Sequence, residues 1–232
     1  VNLLRCAWAG SQRYGALVWS GDIASSLQSF RNQLAAGLNM GMAGIPWWTT
    51  DIGGFHGGNP NDPAFRELFA RWFAWGCFCP VMRLHGDREP HDQPPMSDHG
   101  GGMCASGADN EVWSYGEEVY AICKKYLTLR EKLRPYVRQL MQRTHETGEP
   151  IMRPMFFDFP EDDICWRLER QYMFGPDYLV VPVLEAGLRK VNAYLPKGRW
   201  QNIDTQEVFQ GESWVEMDAP LDIIPVLKRE KG

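Results

Sequence analysis

The sequence predicts an α/β chain: the second half of a (β/α)8 barrel over residues 1–174, followed by the start of a β-sandwich over 175–232. Extended apolar segments alternate with helix-periodic ones as far as about residue 174, a pattern that implies a parallel sheet with right-handed crossovers. The extended segments end in polar or charged residues just before a loop, at Asp22, at Asp51 and at Arg83 with His85. Barrels place their chemistry in this way, at the carboxyl ends of the strands. After Asp177 the pattern changes to short alternating segments divided by Gly, Pro and Asp turns, as in a sandwich. About four βα units fit before that change, and a whole barrel takes about 250 residues, so half a barrel is expected.

Residues 2–8 read as a short buried strand and 15–20 as a second, ending at Gly21-Asp22. Ser25 is a plausible N-cap for a helix whose apolar face is Leu27, Phe30, Leu34 and Leu38, with Gly41 and Gly44 breaking it. Residues 43–49 make a third strand that runs into Thr50-Asp51 and the loop Gly53-Gly54-Phe55-His56-Gly57-Gly58. Asp62-Pro63 opens another helix, a cap followed by Pro at the first position, with a stripe of Phe65, Leu68, Phe69, Trp72 and Phe73. Residues 81–85 are extended, and the polar, Gly-rich stretch 86–110 is long enough to be a functional loop. A long helix is expected over 114–145, broken or kinked at Pro135. A fourth strand follows at 151–157 and a short helix at 164–173. Strands at 178–184, 191–194, 199–203, 214–217 and 221–227 complete the chain.

Composition narrows the function. The 232 residues carry 24 basic and 29 acidic side chains, a net charge of -5. That mild acidity argues against nucleic acid, which wants a basic patch. No apolar run approaches the ~20 residues of a membrane span, so no membrane partner is expected. No basic start followed by an apolar stretch marks a signal peptide. The chain begins Val-Asn-Leu-Leu without Met, which reads as a piece of a longer protein; its compartment stays open, with the cytoplasm as the default. Six cysteines (Cys6, Cys77, Cys79, Cys104, Cys123, Cys165) lie in scattered stretches and read as buried free thiols. His91, Asp92, Asp98 and His99 read as a solvated loop rather than a metal site, and neither a metal nor an organic cofactor is expected.

The chemistry is suggested by aromatics and carboxylates. Ten Trp, eleven Phe and eight Tyr are a heavy load, and indole faces stack on sugar rings much as they stack on cations. Asp22 and Asp51 stand at adjacent strand ends among Trp19, Trp47 and Trp48. A carboxyl packed on indole is poorly solvated, which suits a general acid, and paired carboxylates in an aromatic pocket are the machinery of glycoside hydrolysis. Both Asp could equally cap the loops after their strands. Arg83 and His85 alternate and so point the same way, into a site or into a structural salt bridge. The loop at 53–58 lacks the G-K-[ST] ending and the G-x-G-x-x-G spacing of phosphate loops, and no G-x-S-x-G occurs. The alternative readings are a non-catalytic carbohydrate-binding module and a structural α/β domain whose tryptophans are all core.

Six motifs come in one order: Leu3-Leu4-Arg5, Gln12-Arg13-Tyr14, Trp19-Ser20-Gly21-Asp22, Trp48-Thr49-Thr50-Asp51-Ile52-Gly53-Gly54-Phe55, Pro80-Val81-Met82-Arg83-Leu84-His85-Gly86 and Arg153-Pro154-Met155-Phe156. Together they resemble glycoside hydrolase family 31, the α-glucosidase and α-xylosidase family, over essentially the whole chain, with a loop at Asp51 most like bacterial members. The resemblance implies a retaining exo-α-glycosidase acting on oligosaccharides. It implies that Asp22 is the catalytic acid/base and that Arg5, Trp19, Asp51, Phe55 and His85 line the sugar pocket. It also implies that the nucleophile is an Asp on the fourth barrel strand, before Val1, so Asp22 and Asp51 are not the catalytic pair. The implied partners are the oligosaccharide substrate and the N-terminal half of the same polypeptide, with homo-oligomerisation of the full-length protein left open.

Overall fold

The computed structural model describes residues 1–91 and 107–230. The first part is a parallel three-stranded sheet, in the order β1 (Asn2–Leu4), β2 (Ala16–Trp19), β3 (Trp48–Thr49). Residues 81–85 form no strand, yet they take a fourth strand's place. Val81 donates its N–H to the Trp48 carbonyl at 3.3 Å, Ile52 donates to the Arg83 carbonyl at 3.3 Å, and Thr49 Oγ1 bonds the Val81 carbonyl at 2.9 Å. β2 is buried, whereas β1, expected to be buried, is exposed along its length. It is an edge strand, and one of its sides has no neighbour among the described residues.

Helix α1 (Leu27–Met42) is capped by Ser26 rather than Ser25: the Ser26 hydroxyl accepts the Ser29 N–H at 3.1 Å. Ser25 instead donates its hydroxyl to the Gly57 carbonyl. Gly41 does not break the helix. It lies in the last turn, where an added Cβ would come within 2.9 Å of Pro150, so glycine permits close packing there. Termination falls to Gly44, whose φ is +81°. Helix α2 (Pro63–Gly76) starts as expected, with Asp62 accepting the Ala64 N–H at 2.9 Å. The expected stripe is buried, and so are Ala70, Arg71, Ala74 and Trp75, because α2 is covered on several sides. Phe30 stacks on Trp72 with ring centres 4.9 Å apart, and Trp48 meets Trp75 edge-on at 6.0 Å.

Helix α3 (Glu117–Thr147) runs 31 residues straight through Pro135. The expected break does not occur because Pro135 and Glu131, whose carbonyl loses its partner, both face solvent, where water can replace the bond. α3 meets the next sheet through Tyr136, whose hydroxyl donates to the Phe174 carbonyl at 3.1 Å.

The strand expected at 151–157 is only Met152–Arg153 (β4), followed by a single turn, α4 (Met155–Asp158). β4 does not join the parallel sheet. It pairs antiparallel with β5 (Tyr172–Phe174), which replaces the end of the helix expected at 164–173; that helix shrinks to a 3-10 turn at Cys165–Arg167. The change of sheet therefore falls between α3 and β4, earlier than residue 174. The second sheet adds β6 (Tyr178–Val180), β8 (Arg199–Asn202), β9 (Val208–Gln210) and β11 (Val226–Arg229), in the order β4-β5-β6-β11-β8-β9. β7 (Lys190–Leu195) and β10 (Ser213–Asp218) form an antiparallel pair beside it.

Period-two alternation divides the six-stranded sheet between two cores. Tyr172, Phe174, Val180 and Val226 pack toward the helices. Met173, Leu179, Val181 and Leu227 pack with Ala193, Leu195 and Met217 of the β7–β10 pair. The two parts are also tied by Arg71 of α2, whose guanidinium donates to the carbonyls of Leu188, Ala219, Pro220 and Ile223 at 2.7–3.1 Å. Cys77, Cys79, Cys123 and Cys165 are buried free thiols, with Cys77, Cys123 and Cys165 pushed up to about 12 by burial. Cys6 is exposed, against expectation, because it follows the edge strand β1. Cys104, Asp92, Asp98 and His99 lie outside the described residues.

Candidate active site at the carboxyl ends of the parallel strands

Because β1, β2 and β3 run parallel, Arg5, Asp22 and Asp51 follow their strands on one side of the sheet. Arg5 Nη2 donates to Asp22 Oδ2 at 2.8 Å. Asp22 follows Gly21, which takes a φ of +73° and turns the chain out of β2. The Asp22 side chain keeps 31% of its surface and Arg5 keeps 67%, so the acid expected in an indole-lined pocket is held by an open ion pair. The buried carboxyl is Asp51, at 0% exposure. Its N–H donates to Ser20 Oγ at 3.3 Å, its Oδ1 accepts from Arg83 Nη1, and its Oδ2 has no partner. Burial raises the Asp51 pKa; Arg83 and His85 pull it back down, and the nearby negative charge of Asp22 pushes it up.

The loops after β2, β3 and residue 85 are laced together. Phe55 and His56 both donate their N–H to the Ile23 carbonyl, at 2.7 and 3.0 Å, Ser25 donates to the His56 carbonyl at 2.9 Å, and Asp87 donates to the Phe55 carbonyl at 2.7 Å. Gly54 makes this approach possible. Its φ is +82°, and a Cβ there would sit 2.7 Å from the Ser25 Cα. Phe55 is left half-buried, with its ring 5.3 Å from that of His85 and 4.7 Å from that of His56. Trp19, at the end of β2, is also half-buried, and its Nε1–H has no partner.

Beneath the loops lies Arg88, which is fully buried. It donates to the carbonyls of Ile52, Gly54 and Gly57, to Ser25 Oγ, to Asn110 Oδ1 and to Tyr115 Oη, at 2.9–3.3 Å. Nothing in the sequence singled it out, since an Arg in a polar stretch reads as solvated. Arg83 stands out in the sequence by its spacing from His85 alone; the family resemblance does not put it among the pocket residues. His91 bonds Asp87 at 2.9 Å, and among the described residues no group of His, Cys, Asp and Glu could hold a metal ion. A cavity of ≈ 840 Å³ opens elsewhere, beside Arg66, Tyr115 and Asp222, and none of the expected pocket residues lines it.

A parallel sheet with an Arg–Asp pair, a buried carboxyl and aromatic rings gathered at its carboxyl edge defines the class: an enzyme-type (β/α) barrel segment joined to a β-sandwich. The model of the family 31 glycosyl hydrolase TIM-barrel domain matches residues 1–140, and that of the family 31 C-terminal domain matches residues 148–231. The chain belongs to glycoside hydrolase family 31. It is 39% identical over 230 residues to an alpha-xylosidase of Saccharolobus solfataricus, covering 99% of this chain and 29% of that protein. It is 33% identical to alpha-glucosidase 2 of Bacillus thermoamyloliquefaciens, covering 98% and 26%. The crystal structure of a family 31 alpha-xylosidase from a soil metagenome, complexed with xylose, superposes with a TM-score of 0.96 at 61% identity, over 100% of this chain and 35% of that one. The chain thus spans about a third or less of the length of these relatives.

Proposed function

We propose that the chain is part of a retaining, exo-acting α-glycosidase that releases terminal α-linked xylose, or glucose as the second choice, from oligosaccharides. The observation that carries this reading is the gathering of Asp22, Arg5, His85, Phe55 and Trp19 at one edge of the parallel sheet. Xylose is put first because the 61% identical structure is that of an alpha-xylosidase with xylose bound. The boundary between the barrel part and the sandwich part is placed between Thr147 and Met152.

In this reading an Asp outside these 232 residues attacks the anomeric carbon. Asp22 gives its proton to the departing oxygen, then takes one from the water that hydrolyses the glycosyl-enzyme, so the α configuration is kept. Arg5 holds the Asp22 carboxyl in place, His85 bonds a ring hydroxyl, and Trp19 and Phe55 pack on the sugar.

Asp22→Asn in the full-length protein tests the assignment. Leaving groups that need protonation should react roughly 10²–10⁴-fold slower. Fluoride or dinitrophenolate leaves unaided, so the glycosyl-enzyme should still form and then persist. Azide should rescue it and give the α-glycosyl azide. Equal loss with activated and natural substrates, with no azide rescue, would remove Asp22 from the acid/base role.

A further inference from the structure

Asp51 and Arg83 divide their work in the opposite sense from the one their residue types suggest. Asp51 is 0% exposed, and this chain's own side chains wall it off. A sugar cannot touch such an atom. Arg83 covers it and keeps 24% of its side-chain surface. One guanidinium nitrogen, Nη1, is bound to Asp51; among the described residues the other two have no hydrogen-bond partner. Arg83 lies two residues before His85 on the same segment, and its Nη1 is bonded to Asp51 Oδ1.

We propose that Arg83 is the member of the pair that meets the substrate, donating from its free N–H groups to ring hydroxyls, and that Asp51 is a positioning residue that acts only through Arg83. The inference rests on the α-glycosidase reading. A guanidinium is a rigid planar fork of donors, and two of its N–H groups can reach the oxygens of neighbouring hydroxyls together. The carboxylate fixes the plane of that fork. It also cancels its charge, so the pair as a whole is neutral. A neutral donor pair suits an uncharged sugar, where a lone arginine would favour a phosphate or a carboxylate ligand. The unpaired Oδ2 of Asp51 is consistent with this arrangement: the carboxylate is there for one partner.

The test uses the full-length protein, nitrophenyl α-xyloside for turnover and free D-xylose for calorimetric binding. Arg83→Lys keeps the charge facing Asp51 but removes the fork. It should raise KM, lower kcat/KM about 10- to 100-fold, the usual worth of hydrogen bonds from a charged donor, and weaken xylose binding, while the melting temperature stays within a few degrees. Asp51→Asn in the Arg83 protein should also lower kcat/KM. In the Arg83→Lys background it should cost less than about twofold more, because residues acting through one another are not additive. Wild-type kinetics and xylose binding in Arg83→Lys would overturn the proposal, as would an Asp51→Asn penalty that multiplies fully onto it. The Asp22→Asn variant separates the two levels. If it loses turnover while Arg83→Lys is silent, only the Arg83 assignment fails. If it keeps turnover, the acid/base reading fails, and the calorimetric comparison still decides the role of Arg83.

Discussion

His85 is the residue at which a binding role and a structural role are most easily separated. It is exposed, and its ring tilts against Phe55 at 5.3 Å, so little of the core depends on it. In the full-length protein His85→Ala should lower kcat/KM far more than it lowers the melting temperature. A pocket built around a sugar hydroxyl is left with an unpaired polar group when one partner goes. Loss of folding with normal kinetics in the surviving molecules would instead make His85 a structural residue. Position at the end of an extended segment marks Asp22, Asp51, Arg83 and His85 in the sequence, and the family resemblance adds Arg5. Neither says which carboxylate is buried. Asp22 and Asp51 look alike in sequence, and only the packing of Ser20 and Arg83 around Asp51 separates them.

The element that positions the site is the loop that starts at Gly53, held against the loop after β2. Gly54 and Gly187 allow its packing to be separated from backbone strain. Both have a positive φ, +82° and +72°, but a Cβ at Gly54 would meet Ser25 backbone atoms at 2.7–2.8 Å while one at Gly187 meets nothing within 4 Å. Gly187→Ala should cost about 1–2 kcal/mol, the strain of the left-handed region alone. Gly54→Ala should lower the melting temperature further and also reduce turnover in the full-length protein, because Phe55 must shift when the two loops separate. Equal destabilisation by the two substitutions, with activity kept in both, would show that the loop contact does not position the site. The sequence pattern located the three long helices at this scale, since periodicity is local, but the helix expected at 164–173 is only a 3-10 turn. It misplaced β4 and β5, because Arg153 and Tyr172-Met173-Phe174 take their strand form from pairing with each other across nearly twenty residues.

At the scale of the molecule, the open parallel sheet dominates. β1 leaves Leu3 and Leu4 at 43% and 36% exposure, although parallel sheets are ordinarily covered on both faces, and an unpaired strand edge invites association. On the proposed mechanism the nucleophile also lies outside these residues. The 232-residue stretch expressed by itself should therefore show no turnover of nitrophenyl α-xyloside or α-glucoside, and should self-associate in sedimentation. Turnover by this stretch alone would overturn the two-part mechanism. A monodisperse monomer with cooperative melting would show that the sheet needs no further strand.

By itself the sequence determined the α/β class, the first two helices, the cap of the second, the order of the strand ends and the family. All of these depend on short-range chemistry: the period of apolar residues, the need of a first turn for a capping oxygen, and motifs only a few residues long. Tertiary structure alone decided that Met152–Arg153 belongs to the antiparallel sheet, that Pro135 rides inside a helix, that Arg88 ties the loops from below, and that Asp51 is sealed behind Arg83. Each of these depends on which groups water can still reach once distant segments have met. Glu131 and Pro135 stand on an exposed face of α3, whereas Asp51 and Arg88 are fully buried, a difference of solvation set by partners from other elements.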